Sequence, residues 1–300
     1  MPELPEVETI VRDLRPRLVG RRIASATLSK TDVLRKVTKP ALLRALRGAR
    51  VTAVTRRAKH AVFHLASGLR MVIRLGMTGA LVVYERDLTP EEAKYAVLIL
   101  ELGPKPRSGA RRRLRDRQNG TVATATPGPG SRFVYRDVRR FGSIWLLDDQ
   151  GWEKYEARLG PEPLDPAFTP AELGRALAGR RAAVKKVIMD QARVVGVGNI
   201  YANEALFTAR IDPSRPAASL TPAETRALHR AIVAILHRAI KAEGTTFRDY
   251  RTGTGQPGSF QLRLNVYGRG GEPCRRCGHR LVTTHAIDAR ATTMCPWCQG

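Results

Sequence analysis

Apolar residues near the start of the chain recur at the spacing of a helix. After Pro5 they fall at intervals of three or four positions, at Val7, Ile10, Val11, Leu14 and Leu18. A proline in the first turn is compatible with a helix start, because the first backbone N–H groups of a helix have no partner within it. The pattern therefore predicts an amphipathic N-terminal helix.

Two further helix starts stand in the second half of the chain. Thr169-Pro170-Ala171-Glu172 and Thr221-Pro222-Ala223-Glu224 each place a threonine three residues before a glutamate, the pattern of a capping box with proline at the first helical position. Behind the second box one apolar face follows, made of Leu228, Ile232, Ile235, Leu236 and Ile240. Gly244 is a natural end for that helix.

The residues from about 22 to 147 read as short strands instead. Their β-rich runs are broken by glycine, proline and charge, and lie at Val51–Thr55, Ala61–Leu65, Met71–Leu75, Leu81–Tyr84, Ala96–Leu102, Phe133–Tyr135 and Ile144–Leu147. Several short strands with turn signals indicate a β-sandwich or barrel. The predicted order is one helix, a β domain, a helical domain and a cysteine-containing end.

Composition adds a polyanionic partner to this picture. Of 300 residues, 52 are Lys or Arg and 27 are Asp or Glu, a formal net charge of +25, which is typical of proteins that bind nucleic acid or an anionic membrane. No long basic amphipathic helix stands out, so nucleic acid is favoured. No apolar run approaches the roughly 20 residues that span a bilayer, and the acidic N-terminus is unlike a signal peptide. The cytoplasm is the expected location.

Residues 103–130 interrupt the β region with a strongly basic stretch. Between Gly103 and Arg117 there are seven basic residues against one acid, Asp116, and glycine and proline dominate up to Gly130. This composition predicts a disordered basic loop. The loop is either an auxiliary DNA contact or a tolerated surface insertion.

The cysteines predict a metal site. Cys274 and Cys277 form one CxxC pair, Cys295 and Cys298 form another, and 17 residues separate the pairs. Two such pairs can place four thiolates tetrahedrally around one structural Zn²⁺. The residues between them read as a β-hairpin with Arg290 near its tip. The hairpin is then either a structural clip or a DNA contact.

A glycine-rich turn precedes a third amphipathic stretch. Residues 195–204 read Val-Gly-Val-Gly-Asn-Ile-Tyr-Ala-Asn-Glu, and glycines at a helix start let backbone N–H groups approach a phosphate. Asn199 would cap that helix or bind a phosphate oxygen. A tight turn between two helices explains the same pattern.

Several candidate residues have an ordinary interpretation when taken alone. Arg139 and Phe141 are suited to probing and wedging a duplex, yet a core phenylalanine beside surface arginines is the plainer interpretation. Met77 reads as a core residue and Lys59 as a surface lysine. Pro2 and Glu3 read as a helix start, since an acid is favoured near the positive end of a helix.

Together these residues resemble formamidopyrimidine-DNA glycosylase, the bacterial family that repairs oxidised purines. The resemblance runs in order along nearly the whole chain, through Pro2-Glu-Leu-Pro-Glu-Val-Glu-Thr9, Lys59, Leu75-Gly-Met-Thr-Gly79, Arg139-Arg-Phe-Gly142, Leu159-Gly-Pro-Glu-Pro-Leu164, Val194-Val-Gly-Val-Gly-Asn-Ile-Tyr201 and the terminal cysteines. The sister endonuclease VIII branch usually begins Pro-Glu-Gly-Pro-Glu instead.

The resemblance implies an α+β multidomain fold. Residues 1–150 would form the catalytic domain, an N-terminal helix on a two-sheet β-sandwich, and residues 151–244 a helix–two-turn–helix DNA-binding domain. Residues 245–300 would form a loop covering the flipped base, from about 245 to 260, and a β-hairpin zinc finger. Damaged double-stranded DNA would lie in the cleft between the halves of a monomer.

The resemblance also implies an enzyme, a DNA glycosylase with abasic-site lyase activity. Pro2, freed by loss of Met1, would be the Schiff-base nucleophile and Glu3 its acid–base partner, with Lys59 and Arg290 assisting β- and δ-elimination. The implied contacts to the DNA backbone are Arg140, Arg181 and Asn199. The residues implied to fill the space left by the flipped base are Met77, Arg139 and Phe141.

Individual positions depart from the family pattern. Arg74 stands where histidine is common, Val138 where proline is common, and Val97 where a DNA-contacting histidine is frequent. These changes leave the lyase residues intact and put DNA contacts and lesion preference in question. Two other functions stay open: endonuclease VIII-like removal of oxidised pyrimidines, and lesion binding without catalysis.

The charge predicts that binding to duplex DNA weakens steeply with salt. Phosphate contacts release condensed cations, so the logarithm of the binding constant should fall linearly with the logarithm of salt concentration, by about 0.9 per contacted phosphate. Fluorescence anisotropy of a labelled duplex over a salt series measures this slope. A flat dependence would contradict phosphate contacts.

Overall fold

The computed structural model describes residues 2–104, 130–246 and 252–300. Its helices are α1 (Leu4–Leu18), α2 (Lys39–Leu46), α3 (Pro90–Lys94), α4 (Asp149–Glu156), α5 (Pro170–Leu177), α6 (Val184–Ile188), α7 (Asn199–Ala209), α8 (Pro222–Lys241) and α9 (Pro296–Gln299). Its strands are β1 (Ile23–Leu28), β2 (Val51–Arg57), β3 (His60–Leu65), β4 (Arg70–Arg74), β5 (Gly79–Tyr84), β6 (Ala96–Leu102), β7 (Ser131–Asp137), β8 (Ser143–Leu147), β9 (Val282–Thr284) and β10 (Thr292–Met294). Short 3-10 helices lie at Ala217–Ser219 and Phe260–Arg263.

Two antiparallel four-stranded sheets make up the N-terminal half. Their strand orders are β1-β6-β7-β5 and β2-β3-β4-β8. Phe63 on β3 meets Phe133 on β7 edge to face, with ring centroids 5.2 Å apart, so the two sheets share one core. This is a β-sandwich, one of the two architectures that the strand pattern indicated and the one that the family resemblance implied.

Helix α1 contributes side chains to two separate cores. Val7, Ile10 and Leu14 are buried with the side chains of the sandwich, whereas Leu4 is buried with helices α5 to α8. Leu4 and Val7 are both fully buried. The first turn of α1 therefore joins the sandwich to the helical region.

The predicted helix starts in the helical region are present, but only one box is complete. Thr221 Oγ1 accepts a hydrogen bond from Glu224 N at 3.2 Å, and the Glu224 carboxylate accepts one from Thr221 N at 2.8 Å. Thr169 Oγ1 accepts from Glu172 N at 3.3 Å. The Glu172 carboxylate pairs with Arg175 instead of bonding Thr169 N, so the box at Thr169 stays incomplete.

The C-terminal residues form the predicted hairpin. Strands β9 and β10 pair antiparallel, with Thr283 opposite Thr293. A small core of Val266, Leu281, Cys274 and Cys295 packs against Phe207 of α7. The hairpin is thereby fixed to the helical region.

Some elements carried too little pattern to predict. Helix α2, for example, buries only Leu42 and Leu46, which is too few residues for a helical period to stand out. Most of the predicted basic loop at 103–130 lies outside the described residues, as does part of the 245–260 loop. Across the described ranges, none of the helices combines the length and apolar character needed to cross a membrane.

Candidate active site and nucleic-acid interface

The start of the chain is held against the glycine-rich turn. Pro2 is buried directly before α1, and Leu4 N–H donates to Gly196 O at 3.0 Å. Gly196 has a φ of +80°, and a Cβ there would lie 2.6 Å from Leu4 Cβ. Only glycine meets both conditions, so the turn presses directly on the first turn of α1.

The Glu3 carboxylate is buried at this junction. Its Oε1 accepts a hydrogen bond from Ile200 N at 3.0 Å, at the start of α7, where the helix dipole favours a negative charge. Its Oε2 is also buried, and none of the described residues donates a hydrogen bond to it. One oxygen is therefore anchored while the other is left for a further partner.

Glu6 ties this junction to the loop after α8. Its Oε2 accepts from Glu3 N at 2.8 Å, and its Oε1 accepts from Tyr201 Oη at 2.5 Å and from Thr245 N at 2.8 Å. Burial, and then the charge of Glu3, raise the pKa of Glu6. The loop predicted to cover a flipped base thus begins at a residue bonded to the N-terminal helix.

Lys59 reaches the same place from the turn between β2 and β3. Only 8% of it is exposed, so the interpretation as a surface lysine is wrong. Burial lowers the pKa of its ammonium, the Glu3 and Glu6 charges oppose that shift, and the Arg290 charge adds to it. A Cβ on Gly198 would lie 2.6 Å from both Glu3 Oε1 and Lys59 Nζ, so the absence of a side chain at Gly198 lets the two groups sit together.

A partly buried glutamate fixes the turn that carries Lys59. Glu162 accepts hydrogen bonds from Ala58 N at 2.6 Å and from the guanidinium groups of Arg56 and Arg57, each at 3.0 Å. Ala58 adopts a φ of +53°, which costs energy in a residue with a Cβ. Glu162 therefore holds a strained turn in place.

The C-terminal hairpin reaches the site from the other side. Asn199 Nδ2 donates to Ala291 O at 3.1 Å, and Asn203 Oδ1 accepts from Thr293 N at 2.8 Å. Gly198, not Asn199, is the N-cap of α7, so the capping alternative for Asn199 is wrong. Arg290 is exposed in the turn between β9 and β10, close enough to lower the pKa of Lys59.

A second group of candidates lies at the turns after β4 and β7. Phe141 is 51% exposed and Met77 is 37% exposed, so neither is a core residue. The Arg139 guanidinium stacks over the Phe141 ring at 4.9 Å. Exposed apolar side chains beside a stacked arginine form a surface able to enter a base stack.

The Asp137 carboxylate holds that loop. It accepts hydrogen bonds from Thr78 Oγ1 at 2.6 Å, Tyr135 Oη at 3.0 Å and Gly142 N at 2.8 Å. Thr78 Oγ1 in turn accepts from Arg139 N at 3.0 Å. The exposed residues are thereby set on a rigid base that links both turns.

The remaining predicted DNA contacts lie on the surface. Arg140 has a φ of +55° and pairs with Asp32 at 3.2 Å. Arg181 is exposed between α5 and α6. Val97, by contrast, is 2% exposed within the sandwich core, so it makes no surface contact in place of a histidine.

The cysteines form the cluster that their spacing predicted. The Sγ atoms of Cys274, Cys277, Cys295 and Cys298 all lie within 4.8 Å of one another, and Cys277 Sγ lies 3.5 Å from Cys295 Sγ. The group could hold a metal ion.

One buried cation, which is bonded to the C-terminal hairpin, was not predicted from the sequence. Lys185 on α6 is fully buried, and its Nζ donates to Thr292 Oγ1 at 2.7 Å and pairs with Asp288 Oδ1 at 3.2 Å. Its neighbours Val184 and Val187 are buried apolar residues. A lysine interrupting an apolar face is the only signal that the sequence carries for it.

Comparisons with known proteins agree along the whole chain. Residues 1–144 match the family described as formamidopyrimidine-DNA glycosylase N-terminal domain, and residues 159–251 match its H2TH domain. A formamidopyrimidine-DNA glycosylase of Thermomicrobium roseum is 43% identical, over 100% of this chain and 99% of the relative.

Solved structures show the same similarity. The MutM (Fpg) protein of Thermus thermophilus has a TM-score of 0.80 and 35% identity, over 100% of this chain and 99% of that one. Lactococcus lactis Fpg in complex with abasic-site DNA has a TM-score of 0.83 and 28% identity, over 99% of both chains. Another complex of that protein, with DNA containing an oxidised pyrimidine, has a TM-score of 0.83 at 29% identity and the same coverage.

Gly198→Ala should lower the free energy of unfolding by about 1–3 kcal/mol, the usual effect of overpacking, because its Cβ would intrude between Glu3 and Lys59. Gly174→Ala is the matched control: on α5 its Cβ would meet only Thr225 Cγ2 at 3.9 Å. That change should raise stability by about 0.5–1 kcal/mol. Urea denaturation measures both, and equal effects would contradict the close packing at Gly198.

Proposed function

The chain belongs to the formamidopyrimidine-DNA glycosylase family, and on that premise we propose which of its residues carry out each step. The protein is a DNA-repair enzyme, a glycosylase for oxidised purines that is also an abasic-site lyase. The assignment of residues to steps rests on the convergence of Glu3, Lys59 and the chain start around Gly198.

The nucleophile is the backbone nitrogen of Pro2 once Met1 has been removed. An α-amino group titrates near about 8 and a lysine near about 10.4, so a useful fraction of a free N-terminus is neutral at pH 7. Its attack on C1′ forms a C–N bond while the bond from C1′ to the damaged base breaks, and the base leaves with the electron pair and takes up a proton. As the C1′–O4′ bond breaks, O4′ would take up a proton from Glu3 Oε2 and the proline nitrogen would form the C1′=N⁺ double bond. Glu3 Oε2 suits this role because the other carboxylate oxygen is already bound to Ile200 N.

The secondary amine of proline then gives an iminium that remains charged. This charge acidifies the C2′ hydrogen, so that loss of the C2′ proton expels the 3′ phosphate in β-elimination. Loss of the C4′ proton then expels the 5′ phosphate in δ-elimination. Lys59 and Arg290 supply positive charge beside these leaving phosphates.

The exposed loop residues compensate for the removal of a base from the stack. Extruding a base costs a few kcal/mol, and the side chains of Met77, Arg139 and Phe141 would occupy the space it leaves. The cation–π contact between Arg139 and Phe141 and the Asp137 bonds hold the loop ready before DNA arrives. Arg140, Arg181 and Asn199 would contact backbone phosphates on either side.

The cysteine cluster fits one structural Zn²⁺. A tetrahedral site with Zn–S bonds of about 2.3 Å separates its sulfurs by roughly 3.8 Å, and the sulfurs here lie within 4.8 Å of one another. Cys274, Cys277, Cys295 and Cys298 would hold the ion. Its part is to fix the hairpin that carries Arg290.

The partner, the oligomeric state, the location and the domain bounds belong to the same proposal. The partner is damaged double-stranded DNA, which the protein binds as a monomer in the cytoplasm, where bacterial DNA lies. The division at residues 150 and 244 into catalytic, helical and zinc-finger parts stays a prediction.

Borohydride should trap the wild-type protein on a duplex with an abasic site as a covalent adduct. Lys59 is the rival amine, because burial lowers the pKa of its ammonium. Mass mapping of the tryptic peptides should place the adduct on residues 2–12. An adduct on Lys59 would overturn the role of Pro2, and no adduct under conditions where the protein binds would overturn the lyase.

The same protein should excise oxidised purines faster than oxidised pyrimidines. The complex of the Lactococcus protein with DNA containing an oxidised pyrimidine makes thymine glycol the critical competitor. Single-turnover rates on 8-oxoguanine, formamidopyrimidine and thymine glycol, each opposite all four bases, decide the order. A far faster rate on thymine glycol would favour the endonuclease VIII-like specificity.

Removing zinc should abolish DNA binding while the sandwich stays folded. The hairpin holds Arg290, whereas the sandwich has a separate core. Metal analysis confirms the removal, anisotropy measures binding, and circular dichroism follows the sheets. Retained affinity in the metal-free protein would refute this role of the finger.

A further inference from the structure

Lys185 is a buried cation bonded to the zinc-finger hairpin. It lies on α6 with 0% of its side chain exposed, and its ammonium contacts Asp288 Oδ1 at 3.2 Å and Thr292 Oγ1 at 2.7 Å. A charge taken out of water needs a counter-ion and hydrogen bonds. Both of these come from one hairpin, some hundred residues away along the chain.

Asp288 also contacts the residue at the tip of that hairpin. Arg290 N–H donates to Asp288 O, and Arg290 N lies 3.3 Å from Asp288 Oδ1. Between the two residues Ala289 adopts a φ of +42°, so the turn is tight and strained. A single carboxylate thus contacts the buried lysine and the backbone of Arg290.

Positive charges crowd this region. Burial lowers the pKa of the Lys59 and Lys185 ammonium groups, the charge of Arg290 lowers both further, and the charge of Glu3 opposes both shifts. Asp288 is the nearest counter-charge to Lys185, with its side chain only 12% exposed. Without it, Lys185 would stand unpaired beside another cation.

We propose that Asp288 is a positioning residue that, through its ion pair with Lys185, holds the Arg290 guanidinium at the abasic site for δ-elimination. The inference rests on the role proposed above for Arg290. It reaches beyond that role by naming the residue that sets where Arg290 stands. Asp288 itself touches neither the nucleophile nor Glu3 in the described contacts.

The hairpin has further attachments that do not involve Asp288, among them two to side chains of α7. Asn199 Nδ2 binds Ala291 O at 3.1 Å, and Thr293 N binds Asn203 Oδ1 at 2.8 Å. Asp288→Ala should therefore leave the finger docked and release only its tip. The steps that depend on Pro2 and Glu3 should proceed normally, while the step that depends on Arg290 slows.

The test separates these steps on one substrate. A labelled duplex with a preformed abasic site is cleaved under single-turnover conditions, and a gel resolves the β-product, which ends in an unsaturated aldehyde, from the δ-product, which ends in a 3′ phosphate. In Asp288→Ala the rate of δ-product formation should fall by about tenfold to a hundredfold, since misplacing a group by about 1 Å can cost about a hundredfold, while the borohydride trapping rate stays at the wild-type level. Asp288→Asn keeps the acceptor oxygen but not the charge. Its rate of δ-product formation should therefore lie between those of wild type and Asp288→Ala.

Glu272→Gln is the matched control within the same finger. Glu272 pairs with Arg269 at 2.8 Å but has 54% of its side chain exposed, and exposed pairs contribute little. Its ratio of δ- to β-product should equal that of wild type. Zinc content and thermal unfolding are measured for every variant to show that the finger is intact.

Arg290→Ala separates failure of the inference from failure of the proposed function. If Arg290→Ala loses δ-product and Asp288→Ala keeps it, Asp288 does not position Arg290. If Arg290→Ala itself keeps δ-product, the role proposed for Arg290 is wrong, and the inference falls with it. A loss of trapping or zinc in Asp288→Ala equal to its loss of δ-product would show a general structural role and overturn the inference as well.

Discussion

The hydrogen bond from Ile200 N to the Glu3 carboxylate is the interaction on which the arrangement of the site depends. It places a buried acid from the start of the chain on the N-terminus of α7, where the helix dipole stabilises the negative charge. Because Leu4 is buried in the helical core next to it, the same turn of α1 joins the sandwich to the helices. The chain start is thereby brought within reach of Lys59 on one side and of the finger on the other.

Two glycines allow this contact to form. Gly196 lies against Leu4, and Gly198 lies against both Glu3 and Lys59, with no space for a Cβ in either place. The glycine-rich turn of the sequence is therefore a packing requirement in this fold.

Electrostatics gives the site its chemical character. The chain carries a net charge of +25, yet carboxylates stand among the buried cations of the site: Glu3, Glu6 and Asp288. They allow Lys59 and Lys185 to be buried, because they raise the ammonium pKa values that burial lowers. The nearby Arg290 charge opposes this rise. A phosphate group entering here would meet a surface in which positive charge is held in place before binding.

Local sequence pattern determined most of the elements, the cysteine cluster and the family. The period of the apolar residues predicted α1, α8 and the strands of the sandwich. The helical period of about 3.6 residues and the strand period of about two are both set by backbone geometry within a few residues. The spacing of the cysteines predicted their cluster for the same reason. Only the tertiary structure decided that Lys59 is buried, that Phe141 and Met77 are exposed, and that Lys185 meets Asp288. These outcomes depend on contacts between segments far apart in the chain, and no local period records which distant segment will cover a given side chain.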